Sequence, residues 1–277
     1  MSHVSDLCET FRSQSGLVWN RMAKASRVGL ALSEETLITE TALYEMALAH
    51  ELDGKIAISL ATKPQEARHG ADWEWWLING NMGVSFRVQA KRLFPNGRYQ
   101  SLLKGPPDPY QQLNRLCRAA RRDGHVPLYC FFNFDHPAAS FDGWDGRCLH
   151  SYRAPSFWGC AFALPNGVLA AASNRLRDLR PYTRPWHKLV CNEESVGLRG
   201  AGIGFVHEMY RLAPPGTAGL DPVVARPVPE HVLRLIQMKR ARSDQPDAPF
   251  LDGAYWEERS EVPEDIAGLV VFEDRAD

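Results

Sequence analysis

The chain has 277 residues, enough to bury a sizeable core without disulfide or metal staples. Its composition, 44% hydrophobic and 23% charged with a formal net charge of -1, is that of an ordinary globule and excludes a disordered or collagen-like chain. No apolar run approaches the ~20 residues that span a bilayer, so no membrane partner is expected.

The charge is uneven. Residues 85–125 carry nine Lys or Arg against Asp108 and Asp123, while residues 244–277 carry eleven acids against Arg259 and Arg275. The first region suits a polyanion and the second repels one; two solvated faces of opposite sign are the plain alternative. The six cysteines are irregularly spaced without a CxxC, and residues 1–25 are polar and mixed, unlike a secretory signal. Reduced thiols in a cytoplasmic protein are therefore expected.

In chain order, residues 5–24 predict a helix. Ser33 offers an N-cap, and Glu34 and Glu35 follow where the helix dipole favours acids. A second helix then runs to Leu52 with Leu37, Ile38, Ala42, Met46, Leu48 and Leu52 as its apolar stripe. Lys55–Leu60 predicts a strand, 61–70 a polar loop, and Asp72–Ile78 a second strand. The turn Asn79-Gly80-Asn81 joins this to a third strand, Val84–Leu93. After a Pro- and Gly-rich loop over 94–108, a helix spans about Tyr110–Arg122 and stops at Asp123-Gly124. Pro127–Phe134 is nearly all apolar, as in a strand buried on both faces.

Further on, Phe157–Ala172 predicts one long strand or a hairpin turning at Pro165-Asn166-Gly167. Ser173–Leu179 and Pro229–Arg240 predict helices, and Ile266–Phe272 a last strand. The order helix, strand, strand, strand, helix, strand predicts an α/β fold around one mixed sheet. The expected organisation is a helical extension over 1–32, an α/β domain over 33–200 with its core at 33–135, and a C-terminal helix, strand and acidic loops over 201–277 packed on that core.

Three residues of the hairpin carry chemistry. Gln89 and Lys91, two apart on one strand, share a face, and Asp72 on the partner strand is placed to meet them. A carboxylate, an amide and an ammonium at one spot suit phosphodiester hydrolysis. Asp72 binds a hard cation such as Mg²⁺, and Lys91 positions the attacking water and balances charge on the phosphate. A cross-strand ion pair is the plain alternative. A second acid is needed for the metal; Glu35 and Glu40 rank first, with Glu45, Glu66 and Glu74 behind them.

The string of a helix Glu, Gly70-Ala71-Asp72-Trp73 and Val88-Gln89-Ala90-Lys91 resembles the PD-(D/E)XK, or restriction-endonuclease-like, nuclease superfamily in its Gln-x-Lys form. The resemblance covers about residues 33–135. It implies an α-β-β-β-α-β core and a Mg²⁺- or Mn²⁺-dependent nuclease acting on DNA, with RNA second, in bacterial restriction or phage defence, often as a homodimer. It implies metal ligation by Asp72, Gln89 and Glu35 or Glu40, with Lys91 beside them. The wording Gly70-Ala-Asp-Trp-Glu-Trp-Trp also resembles an uncharacterised bacterial family. Gln89 in place of an acid keeps open a second reading, a catalytically inactive nucleic-acid-binding or protein-interaction module on the same fold.

Arg87, Arg92, Arg98, Lys104 and Arg115 are candidates to follow a phosphate backbone. Gln111 and Gln112, at the start of the basic helix, are candidates to contact phosphate, and Tyr99 and Tyr110 to stack on bases. Cys148, His150, Cys160, His187 and Cys191 match no zinc spacing well, and buried thiols are the better expectation. Pro185-Trp186-His187 is a further surface candidate.

Overall fold

The computed structural model describes residues 3–34, 36–50, 55–60, 73–103, 108–136, 154–191, 197–214, 223–243 and 266–274. Helix α1 (His3–Arg27) is followed by a π-helical stretch, Thr36–Leu43, that runs into α2 (Tyr44–Ala49). Strands β1 (Ile56–Leu60), β2 (Trp73–Asn79) and β3 (Met82–Arg92) come next, then α3 (Gln111–Asp123) and β4 (Val126–Phe132). The order expected from the sequence is thus present between residues 36 and 132. Beyond it lie β5 (Cys160–Ala163), α4 (Pro165–Ala171), α5 (Leu176–Leu179), β6 (Arg184–Pro185), α6 (Gly197–Leu212), β7 (Arg226–Pro227), α7 (Glu230–Ser243) and β8 (Gly268–Asp274).

All eight strands join one open mixed sheet in the order β1-β8-β2-β3-β4-β5-β6, with β7 pairing the start of β3. The β2/β8 and β3/β4 pairs are parallel and the others antiparallel. The chain is therefore an α/β protein. One feature departs from expectation. The C-terminal strand is more than a layer on the core: β8 sits inside the sheet, separating β1 from β2, with Val270 and Phe272 in the main core.

Local signals explain much of the frame. Gly80 has φ +59 in the β2–β3 turn, and Gly124 has φ +72 where it closes α3; both are left-handed positions that glycine adopts without strain. Pairing Trp75 with Phe86 and Leu77 with Val84 puts these four on one face of the sheet. There Phe11 of α1 meets Trp75, Trp186 and Phe272 at ring-centroid distances of 6.3, 4.9 and 5.1 Å. Gly202 of α6 lies against Val84, Leu77 and Phe86 on this same face. The opposite face carries Trp76 and Ile78. These pack with Leu269 and Val271 against Val232, Leu235 and Ile236 of α7 in a second, smaller core. Helix α3, burying Leu113, Leu116 and Ala120, contacts both β3 and β4 as the crossover between two parallel neighbours.

Several expectations are corrected. Pro165-Asn166-Gly167 is no hairpin turn: Pro165 opens α4 at a position where a missing N–H costs nothing. Gly167 there lets the helix approach Tyr182, whose Cβ an added methyl would meet at 2.8 Å. The stripe of the second helix is also shifted. Leu48 is 52% exposed and Leu43 is buried, because i→i+5 bonding over Thr36–Leu43 changes the angular step between residues. The loop expected at 61–70 lies outside the described residues.

Candidate functional site

Strand β3 is buried along nearly its whole length, and its face alternates strictly. Ser85, Arg87, Gln89 and Lys91 point to one side, opposite the side of Phe86 and Val88. Gln89 pairs with Tyr129 and Lys91 with Phe131 of β4. Both polar residues are enclosed, at 1% and 7% exposure. The structure therefore places the amide and the ammonium together on one buried face. Asp72, Glu35 and Lys104 lie outside the described residues, as does the side chain of Glu40. Glu45 is half-buried on α2, and Glu66 is outside. Among the described residues no group of three or more His, Cys, Asp or Glu is arranged to hold a metal. On this face the described structure contributes an oxygen donor in Gln89 and a cation in Lys91. A described carboxylate on this face, Glu74, is already engaged by Trp76 Nε1 at 2.5 Å.

Next to Gln89 on the same face is a buried ionic cluster built around Glu74 of β2, the cross-strand partner of Arg87. Glu74 accepts a 2.5 Å bond from Trp76 Nε1 and faces His125 Nε2 at 3.4 Å and His231 Nε2 at 3.7 Å. His125 Nδ1 lies 2.8 Å from Ser85 Oγ and 2.9 Å from Arg226 Nη2. Arg226 also donates to Ser85 Oγ at 2.8 Å and to the Asp123 carbonyl, and its guanidinium stands 4.6 Å from the centre of the Trp76 ring. Arg87 bonds Asp123 at 3.3 Å.

The protonation states follow from the donors. A guanidinium only donates, so Nδ1 of His125 is an acceptor and the neutral ring carries its proton on Nε2, facing Glu74. Burial, reinforced by the charges of Arg226 and Arg87, holds His125 down to about 4, against the opposing pull of Glu74 and Asp123. Its approach to Glu74 at neutral pH is therefore that of a neutral imidazole to a carboxylate rather than an ion pair. Burial alone would push the Glu74 carboxyl up. The nearby N–H groups of Trp76 and His231 outweigh it, and Glu74 lies below the ordinary carboxylate value.

Ser85, His125 and Glu74 have the connectivity of a nucleophile–base–acid relay, but they do not act as one. Ser85 is 2% exposed, and its oxygen accepts from Arg226, which withdraws the electron density a nucleophile needs. The cluster is a clamp. It ties β2, β3 and the α3–β4 turn to the segment that carries Arg226 and His231. No short sequence motif announces it; the one signal is acids and bases set in otherwise apolar strands, as with Glu74 among tryptophans.

The basic residues separate into two sets. Arg87, expected to follow a nucleic-acid backbone, is 1% exposed and committed to Asp123, because its strand is covered on both faces. Arg92 pairs with Glu34 at 3.7 Å and stacks on Phe94 at 4.0 Å; Arg98 donates to Asn174 at 2.8 Å. Arg115 and Gln111 are exposed on α3, and Gln112 and Tyr110 are half-buried. Tyr99 is no base-stacking platform: it is buried against Phe131 and donates to Asn133 at 2.5 Å. Trp186 and His187, offered as a surface, are wholly buried. Among the described residues Cys8, Cys117, Cys130, Cys160 and Cys191 form no disulfide, and burial pushes the Cys160 thiol well up. Cys148 and His150 lie outside the described residues.

The fold and this site define an α/β protein with an open mixed sheet and a charged, buried face. The chain belongs to the family of unknown function DUF6615, whose sequence profile matches residues 7–274. No curated protein matches it. Among the described residues no helix is long and apolar enough to cross a membrane.

Proposed function

We propose that this chain is a metal-dependent nuclease hydrolysing phosphodiester bonds, with DNA as its first substrate. The observation that carries the reading is the shared buried face of Gln89 and Lys91 on β3, on a strand whose crossover through α3 leads to parallel β4. Supporting it is the order helix, three strands, helix, strand over residues 36–132. Exposed Arg115 on α3 supplies positive charge for a polyanion.

Asp72, the Gln89 carbonyl and Glu35 or Glu40 would hold Mg²⁺ or Mn²⁺, which when bound polarises the scissile phosphate and acidifies water. Lys91 holds the attacking water by hydrogen bonding and offsets charge gathering on the phosphate. In a site closed to bulk water its charge acts at low dielectric, which is why removing such a donor costs about 10²–10³ in rate. Gln89 orients without adding charge.

The test incubates the protein with plasmid, linear duplex, single strand and RNA, in Mg²⁺, Mn²⁺ or EDTA. Cutting that needs the metal and falls about 100-fold or more in Lys91→Ala is expected. Salt-sensitive binding with no cutting in any metal removes the hydrolytic reading and leaves the inactive binding module.

A further inference from the structure

We infer that the cleft between α3 and α4 binds one nucleoside phosphate unit. This site is separate from β3 and needs neither Gln89 nor Lys91. The cleft has a volume of about 420 Å³, within the range of small-molecule sites. Gln111, Asn114, Arg118 and Arg121 form one of its walls. Their spacing of three, four and three residues sets them in a single stripe along α3. Asn166 and Leu169 of α4 form the other wall, with Leu113 and Cys117 as an apolar floor.

The chemistry divides along the cleft. Two guanidiniums one helical turn apart suit a phosphate, which takes paired N–H donors. The apolar floor suits the face of a base. Asn166 supplies the polar contact to the nucleoside. It is 3% exposed, its Oδ1 accepts the Gly167 N–H at 2.9 Å, and among the described residues its Nδ2 donates to nothing. The Nδ2 group is therefore a donor open to a ligand in the cleft. Cys117 stays a protonated thiol, since burial pushes it up, and behaves as apolar surface. The carboxylate at one end, Asp108, is engaged by the Tyr110 N–H at 2.9 Å and by Asn114 Nδ2 at 3.4 Å.

The unit comes either from a free nucleotide or from a strand of nucleic acid, and titration calorimetry on the full chain in EDTA separates the two. The probes are the four nucleoside monophosphates, adenosine, inorganic phosphate and a short single-stranded oligonucleotide. Arg118→Glu changes an exposed residue, and Leu169→Trp fills the cleft from a half-buried one; melting temperatures confirm that both fold. Saturable binding of a monophosphate, stronger than that of phosphate or adenosine and weakened tenfold or more by both substitutions, is the expected result. Binding of the oligonucleotide alone, with the same losses, assigns the unit to a strand. No binding of either probe, binding indifferent to both substitutions, or phosphate binding as well as the nucleotide overturns the inference. Because EDTA abolishes any metal-dependent cutting, failure here leaves the hydrolytic reading untouched, and failure there leaves this one.

Discussion

Protonating His125 removes the acceptor that Arg226 and Ser85 use and sets an N–H against a guanidinium. The folded protein therefore resists it. With a folded value of about 4 against an ordinary 6.5, the unfolded chain binds a proton first as pH falls. Stability from this group is complete above pH 6.5, declines as pH falls through that value, and is exhausted below the folded one. Integrated from pH 7 to pH 5, the difference is about 2 kcal/mol, with a slope of about 1.2 kcal/mol per pH unit in the lower half. For a chain of this size that corresponds to roughly 4–8 °C in melting temperature. His125→Asn keeps an acceptor oxygen in place of Nδ1 and has no titration in this window. Urea unfolding of both proteins at pH 7, 6 and 5 should show the wild type losing about 2 kcal/mol more than the variant. Equal losses, or an NMR titration of His125 near 6.5, would refute the account of the cluster.

Glu74→Gln keeps one acceptor for Trp76 but removes the charge facing both histidines, and should cost about 1.5–3 kcal/mol in urea at pH 7. The wild-type contribution of Glu74 is present above the ordinary carboxylate value and is lost as pH falls through its lowered folded value; the variant should lack that acid loss. Gly202→Leu must displace Val84, whose Cγ1 lies 2.7 Å from where a Cβ would stand, and Leu77 beyond it. A net loss above about 2 kcal/mol is expected even after about 1 kcal/mol of better helix propensity, measured by denaturant midpoint. Lys91→Ala should leave the melting temperature within a few degrees while abolishing cutting, so a fold-wide collapse would mark Lys91 as structural.

The elements whose limits depend on near neighbours were legible in the sequence. The β2–β3 hairpin, α3 with its glycine stop, and the apolar β4 each follow from turn chemistry or periodicity within a dozen residues. Helix α6 went without a prediction, because Gly197, Gly200, Gly202 and Gly204 interrupt a helical pattern. At Gly202 the missing side chain is what lets the helix seat against Val84, a fact only the tertiary structure holds. The place of β8 was equally hidden, since strand order is a long-range property. For the site, period-two alternation placed Gln89 and Lys91 on one face correctly as geometry. It also implied that Arg87 shares that face, without revealing that Arg87 is committed to Asp123. The clamp of Glu74, His125 and Arg226 joins three distant segments and leaves no local trace.

Asn79 and Asp274, 195 positions apart, stand in register as neighbours. A ribosome thus releases β1 and β2 long before the strand that belongs between them. Until β8 arrives, the two present bare backbone edges lined with tryptophan, leucine and isoleucine, the kind of edge that templates aggregation. Nascent chains stalled before residue 268 should therefore lean on chaperones, and the sheet should close as a late, slow step in folding.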